Sequence, residues 1–263
     1  PGTERHLISL QYSDSDFLGQ ELVGQVYYRD ESLRYYPFPT VNANKQATAF
    51  SSSQQDTDQY GMKLTLNSQL MDGWQITWGL DAEHERFTSN QMFFDLAQAS
   101  ASGGLNNHKI YTTGRYPSYD ITNLAAFLQS SYDINDIFTV SGGVRYQYTE
   151  NRVDDFIDYT QQQKIAAGKA ISADAIPGGS VDYDNFLFNA GLLMHITERQ
   201  QAWFNFSQGV ALPDPGKYYG RGIYGAAVNG HLPLTKSVNV SDSKLEGVKV
   251  DSYELGWRFI GDN

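Results

Sequence analysis

Apolar and polar residues alternate along several stretches of this chain. Between Phe138 and Tyr148 the even-numbered positions hold Phe, Val, Gly, Val, Tyr and Tyr, whereas the odd-numbered positions hold Thr, Ser, Gly, Arg and Gln. Because successive side chains of a β-strand point to opposite faces, such a strand has one apolar and one polar face. The same alternation occurs at residues 60–66, 74–80, 186–196 and 253–259. The pattern therefore predicts strands with two different faces.

About nine such spans are expected, each near the ten residues that a tilted strand needs to cross a bilayer. They cover residues 5–12, 20–35, 58–70, 74–90, 122–134, 137–152, 185–197, 201–211 and 249–260. The connections at one pole are short and turn-like: 13–19, 71–73, 135–136 and 198–200, with the chain ending there at 261–263. Those at the other pole are long: 37–57, 91–121, 153–184 and 212–248. Short periplasmic turns and long extracellular loops are typical of an all-β, antiparallel up-and-down transmembrane barrel.

The amino-acid composition excludes several classes of protein but does not by itself identify a barrel. No apolar run of twenty residues occurs, which excludes a transmembrane helix. The mean hydropathy of -0.47 suits a soluble protein as well as a barrel with a wet lumen. The absence of cysteine excludes a disulfide framework and thiolate metal sites. A net charge of -11 argues against nucleic acid as the main partner.

The number of predicted strands bears on whether the chain could form a closed barrel. Nine strands is an odd number, whereas bacterial single-chain barrels have an even number, and an open wall would expose unpaired backbone groups to lipid. We therefore expect residues 1–263 to be a section of a larger barrel.

One long loop could contain a helix. Residues 161–173 have helix-forming composition interrupted by Gly168, although an Ala-rich coil suits that composition equally well.

Three segments resemble a known family. Residues 204–210 read Phe-Asn-Phe-Ser-Gln-Gly-Val and are followed by Pro213, and residues 251–258 read Asp-Ser-Tyr-Glu-Leu-Gly-Trp-Arg. Residues 124–129 and 142–146 supply a third motif, Leu-Ala-Ala-Phe-Leu-Gln with Gly-Gly-Val-Arg-Tyr. Together, and in their order along the chain, they resemble strands of the TonB-dependent siderophore receptors of Gram-negative outer membranes.

The resemblance implies a barrel of 22 strands, closed by an N-terminal plug, that takes up an iron-loaded siderophore with energy passed through TonB. Residues 1–263 would then be the middle portion of the barrel domain, without the plug, the TonB-contacting segment or the C-terminal strands. Ferric siderophore, TonB and outer-membrane lipid are the implied partners, and bacteriocins or phage could contact the loops. The iron would keep its siderophore ligands, so no protein cofactor or metal site is expected.

Four polar residues are expected to line the lumen. Arg145 and Gln147 share the polar parity of one strand, as do Glu254 and Arg258 of another. We expect them to form polar wall and plug-docking contacts, with ligand contact as the alternative.

Candidate ligand residues come from the long loops. The resemblance implies a ferric siderophore, and one of the citrate-hydroxamate type would be oxygen-rich and usually anionic, so its receptor should offer cations and aromatic rings. Three clusters qualify: Tyr35 and Tyr36; Arg115 and Tyr116; and Lys217, Tyr218, Tyr219, Arg221 and Tyr224. The third interleaves basic and aromatic residues with glycine in an acidic protein. The alternative for the tyrosines of the first and third clusters is an aromatic girdle at the outer interface.

Other functions remain as alternatives. A diffusion porin would share the barrel, whereas a barrel enzyme would need a Ser/His/Asp-type group, which we cannot assemble from these strands. Glu83, His84 and Glu85 resemble a metal cluster, but alternation along a strand separates the imidazole from both carboxylates. No enzymatic activity is therefore expected.

Overall fold

The computed structural model describes residues 1–211, 214–243 and 247–261, without the side chain of Lys217. Pro213 of the family motif and the chain end at 262–263 lie outside the described part. The strands are β1 Gly2–Phe17, β2 Gln20–Arg34, β3 Phe38–Val41, β4 Ala47–Met71, β5 Trp74–Phe94, β6 Lys109–Gly114, β7 Tyr119–Asp133, β8 Phe138–Val153, β9 Ser172–Ala173, β10 Gly179–Thr197, β11 Gln200–Ala211, β12 Gly222–Tyr224, β13 His231–Leu232, β14 Leu234–Ser237 and β15 Val248–Phe259. The helices are α1 Leu96–Ala101, α2 Tyr159–Ala166 and α3 Pro215–Tyr219.

Nine long strands form one antiparallel up-and-down sheet, in the order β1-β2-β4-β5-β7-β8-β10-β11-β15. Each pairs with its neighbour along the chain, and β3 and β6 add short extensions to β4 and β5. This arrangement confirms the fold class and all nine expected spans.

The two faces of the sheet differ as the alternation predicts. Leu192 of β10 lies between Val140 of β8 and Phe204 of β11, so three apolar side chains form a row across neighbouring strands. Asn189, three residues before Leu192, lies on the other face, and its amide donates to Gln129 at 3.3 Å. One face is therefore an apolar surface and the other carries hydrogen-bonded polar groups.

The first short connection is tighter than expected. Residues 13–17 were assigned to a turn, but Ser13 pairs with Val23 and β1 continues to Phe17. The turn consists of Leu18 and Gly19, with φ angles of 53° and 78°. Positive φ at both central residues matches the twist of a two-residue hairpin, which explains why the strands can pair almost to their ends.

At the opposite pole the strands continue beyond the expected spans. Residues 47–57 and 91–94 were assigned to loops, yet they belong to β4 and β5, and residues 50–53 pair with residues 91–94, as in Phe50 opposite Phe94. Phe50 is buried on one face of the sheet and Phe93 on the other. The helix α1, with the buried Ala99, contacts β4, whereas the Phe93 ring stacks on that of Tyr111 with ring centres 4.7 Å apart. These apolar contacts explain the added strand length.

The long loops pack into a core of their own. Tyr119 and Val153 at the ends of β7 and β8 contact Tyr219 and Val240 from the last long loop. The helix expected at 161–173 exists but spans Tyr159–Ala166; it ends before Gly168, whose φ of 69° is outside the helical region. Within the described residues, no helix has the length and apolar character needed to span a membrane.

Candidate ligand pocket

Three long loops meet at the outer pole and enclose a pocket of about 380 Å³. Residues 115–116 follow β6, residues 158–160 begin α2, and residues 216–221 extend from α3. The described lining consists of Arg115, Tyr116, Asp158, Tyr159, Thr160, Gly216, Gly220 and Arg221. The pocket is thus built from segments that are far apart in the chain.

Arg115 is held from several directions. The backbone N–H of Arg115 donates to the Ser89 carbonyl at 3.3 Å, and the N–H of Tyr116 donates to Ser89 Oγ at 3.0 Å. Its guanidinium lies 5.3 Å from the ring centre of Tyr116 and 5.9 Å from that of Tyr159. Arg115 Nη1 also donates to Gln91 Oε1. Cation–π contacts and a hydrogen bond therefore fix the position of this charge.

Asp158 joins two walls of the pocket. One carboxylate oxygen accepts from the Thr160 N–H at 2.8 Å and caps α2, while the other accepts from the Gly222 N–H at 3.2 Å. The residue is only 8% exposed. The third wall is attached through Gln162, whose Oε1 accepts from the Gly114 N–H at 2.8 Å. Hydrogen bonds thus connect all three loops around the pocket.

The charges of the pocket favour an anion. Among the described side chains, no carboxylate lies within ion-pair distance of Arg115 or Arg221. Asp158 is the single acidic residue of the described lining, and its oxygens already accept two backbone hydrogen bonds. Burial raises the pKa of Tyr159, which keeps its phenol neutral. The pocket offers two guanidinium groups against one carboxylate in a chain of net charge -11.

The structure brings together three of the predicted ligand residues, namely Arg115, Tyr116 and Arg221. Lys217 lies in α3, with its side chain outside the described part. Tyr218 is exposed beside the pocket and packs edge-on against Tyr219, with ring centres 5.0 Å apart.

Four other predicted ligand residues lie outside the described lining, and two of them have a structural role. Tyr219 is 2% exposed, and its hydroxyl is hydrogen-bonded to Ser243 within the loop core. The Tyr224 hydroxyl donates to the Asp174 carbonyl at 2.8 Å, and so connects two loops. Tyr35 and Tyr36 follow β2 as exposed residues and do not line this pocket.

The four predicted wall residues lie in two groups. Arg145 pairs with Asp81 at 2.5 Å, and its Nε donates to Gln147 at 3.4 Å. These three residues border a polar hollow of about 210 Å³ on the inner face of the sheet.

The second group lies on β11 and β15. Glu254 accepts a hydrogen bond from Trp203 Nε1 at 2.9 Å, and Arg258 donates to Gln201 at 2.5 Å. Arg145 thus reaches across β7 to Asp81 on β5, whereas Glu254 and Arg258 contact the neighbouring strand β11.

The apparent metal cluster on β5 divides between the two faces of its strand. Glu83 accepts from the Tyr27 hydroxyl at 2.5 Å, whereas His84 lies against the Tyr60 ring at 5.0 Å between ring centres. In the described part of the chain, no group of three or more His, Asp and Glu residues could hold a metal ion.

Sequence reasoning missed several residues of the outer loops. Asp158 could have been found, because an aspartate before a helix is a common N-cap. Gln91 could not have been found, since its role depends on a residue 24 positions away.

A Ser/His/Asp group, which we did not expect, joins two loops. His231 contacts Ser172 Oγ through Nδ1 at 2.8 Å and Asp174 through Nε2 at 2.9 Å. These two hydrogen bonds connect residues 172–174 with His231 of the last long loop.

The family is decided by a match over nearly the whole chain. A family model described as "TonB dependent receptor-like, beta-barrel" matches residues 2–263. The chain belongs to this family of TonB-dependent receptor β-barrels. The family inferred from the three strand motifs is thereby confirmed. TonB-dependent receptor barrels are proteins of the Gram-negative outer membrane, and this localisation applies to the chain.

Relatives within this family are similar along the chain. The ferric aerobactin receptor of Klebsiella pneumoniae is 91% identical over 263 residues, which are 100% of this chain and 36% of that protein. The rhizobactin receptor of Rhizobium meliloti (strain 1021) is 45% identical over 258 residues, 98% of this chain and 34% of that protein. The chain thus spans about a third of the length of these relatives.

A solved structure shares the fold. The copper transporter OprC matches with a TM-score of 0.67 and 14% sequence identity, over 98% of this chain and 36% of that chain. At this level of identity the likeness concerns the arrangement of the strands.

Proposed function

We propose that this chain supplies part of the ligand site of an outer-membrane receptor for an anionic ferric siderophore, namely ferric aerobactin, in TonB-dependent uptake. The observation that carries the proposal is the convergence of Arg115 and Arg221 in one outer pocket, without a carboxylate partner among the described side chains. The 91% identity to a ferric aerobactin receptor supports this choice of siderophore.

The chemistry of the pocket suits such a ligand. Guanidinium groups form charge-assisted hydrogen bonds with carboxylate and other anionic oxygens. The rings of Tyr116 and Tyr159 offer apolar surface to the hydrocarbon arms of a citrate hydroxamate. A volume of about 380 Å³ lies within the range of small-molecule pockets, roughly 300–1,000 Å³. Binding would be noncovalent, and the iron would retain its siderophore ligands.

The remaining partners belong to the same proposal. TonB would act through another region of the receptor, lipid would cover the apolar face of the sheet, and bacteriocins or phage would use the exposed loops. The family favours this function over a diffusion porin.

The proposal can be tested with the full-length receptor in detergent. Ferric aerobactin should bind substantially more tightly than iron-free aerobactin or a ferric catecholate complex, as measured by quenching of tryptophan fluorescence. Equal affinity for all three would refute the choice of ligand.

A further inference from the structure

A buried glutamine lies directly behind the pocket. Gln91 of β5 is 4% exposed and contacts both Arg115 and Ser51 through its side chain. Gln91 Oε1 accepts from Arg115 Nη1, while Gln91 Nε2 donates to Ser51 Oγ at 2.8 Å. Ser51 of β4 is itself 1% exposed. A polar connection therefore runs from the sheet to the guanidinium in the pocket.

The orientation of this amide follows from the donors around it. A guanidinium has donors only, so the amide oxygen must face Arg115 and the amide nitrogen must face Ser51. Pairing of β4 with β5 places Gln91 opposite Ser53, two residues from Ser51 on the same face. Rotation of the amide would turn its NH2 group toward the guanidinium and lose the hydrogen bond to Arg115 in a buried environment, which is costly.

The neutrality of Gln91 is the chemically important property. A carboxylate at this position could hold Arg115 equally well, but it would form an ion pair and neutralise the guanidinium. A glutamine supplies the same acceptor without a charge. Arg115 thus has a fixed position and an uncompensated positive charge.

We propose that Gln91 is a positioning residue that directs the Arg115 guanidinium into the pocket and leaves its charge for an anionic ligand. This inference rests on the proposed function and adds a residue that determines ligand charge preference. Gln91 lies outside the described lining, so it acts through Arg115.

The first test is Gln91→Glu in the full-length receptor. Affinity for ferric aerobactin should fall at least about tenfold, and its dependence on salt concentration should become weaker, because the new carboxylate neutralises Arg115. Gln161→Glu is a matched control. Gln161 is a buried glutamine that accepts from a cation, Lys164 Nζ at 3.1 Å, outside the described pocket lining. This control should leave both quantities unchanged.

The second test is a double-mutant cycle with Gln91→Leu and Arg115→Ala. Gln91→Leu should weaken binding several-fold in the otherwise unchanged receptor and less than about twofold in the Arg115→Ala background. Folding of each variant is checked by the heat-dependent shift of the barrel on a gel, and Gln91→Glu provides the test if Gln91→Leu does not fold.

The outcomes separate this inference from the proposed function. If the unchanged receptor does not bind ferric aerobactin, the proposed function fails. If that receptor binds and Arg115→Ala weakens binding, but Gln91→Glu retains full affinity and salt dependence, the role of Gln91 is refuted. An equal effect of Gln91→Leu with and without Arg115 would also refute it, because a general structural role predicts that result.

Discussion

Replacement of Arg115 by alanine is the most informative change in the pocket. It removes a guanidinium that two tyrosine rings and one glutamine hold in place. Because these contacts exist before ligand binding, little side-chain entropy should be lost when the ligand arrives. The full strength of the charged hydrogen bond should therefore contribute to affinity.

The expected magnitude follows from this geometry. A hydrogen bond to a charged group contributes about 1.5–3 kcal/mol. Since about 1.4 kcal/mol corresponds to a factor of ten, Arg115→Ala should raise the Kd for ferric aerobactin roughly 10- to 150-fold. Arg221 has no fixing contact of this kind among the described side chains, so Arg221→Ala should have a smaller effect, at least several-fold.

The assay is a titration of the full-length receptor by fluorescence quenching at low and high salt. Arg86→Ala is the matched control, because Arg86 is already paired with Asp120 at 2.8 Å and Asp154 at 3.2 Å, outside the described pocket lining. Its Kd should not change. An unchanged Kd in both Arg115→Ala and Arg221→Ala would refute the assignment of the pocket.

Two further predictions concern the fold. Leu192→Arg should destabilise the folded barrel by about 2–4 kcal/mol, which is the cost of an arginine on the lipid face near the midplane. Asn189→Ser on the polar face should have only a small effect on stability. Both variants can be unfolded with urea from lipid vesicles, and equal stability of the two would contradict the assigned faces. The second concerns Asp174, whose pKa is lowered, first by the hydrogen bond from the Leu234 N–H and then by His231. Because the pKa of Asp174 is lower in the folded state, its hydrogen bond from the Leu234 N–H is fully formed above the ordinary pKa of 3.8. The hydrogen bond is lost only when the pH falls through the lowered pKa of the folded protein. Hydrogen exchange of the Leu234 amide, corrected for its intrinsic rate, should therefore accelerate only in more acidic solution, and acceleration near neutral pH would be inconsistent with this reasoning.

The strands could be predicted because their signal is local. Alternation at neighbouring positions is sufficient to place Leu192 and Asn189 on opposite faces, and this part of the fold needs no knowledge of distant contacts. The added length of β4 and β5 could not be predicted in the same way. It depends on tertiary contacts, namely the packing of α1 on β4 beside Phe50 and the packing of Phe93 against Tyr111 on the other face.

The pocket was only partly predictable. Residue type alone drew attention to Arg115 and Arg221, because each lies near tyrosines in a long loop of an acidic chain. Their convergence depends on contacts between loops, including the two hydrogen bonds of Asp158, and no periodicity encodes such contacts. For the same reason Tyr219, which has the residue type of a ligand contact, became part of the loop core instead.

The location of the iron tests the central claim most directly. Crystals of the full-length receptor with ferric aerobactin would reveal the metal through its anomalous scattering. We predict a peak at the mouth of the outer pocket, with siderophore oxygens about 2.7–3.2 Å from the guanidinium nitrogens of both Arg115 and Arg221. A peak outside this pocket, with neither arginine in contact with the siderophore, would contradict the proposed function.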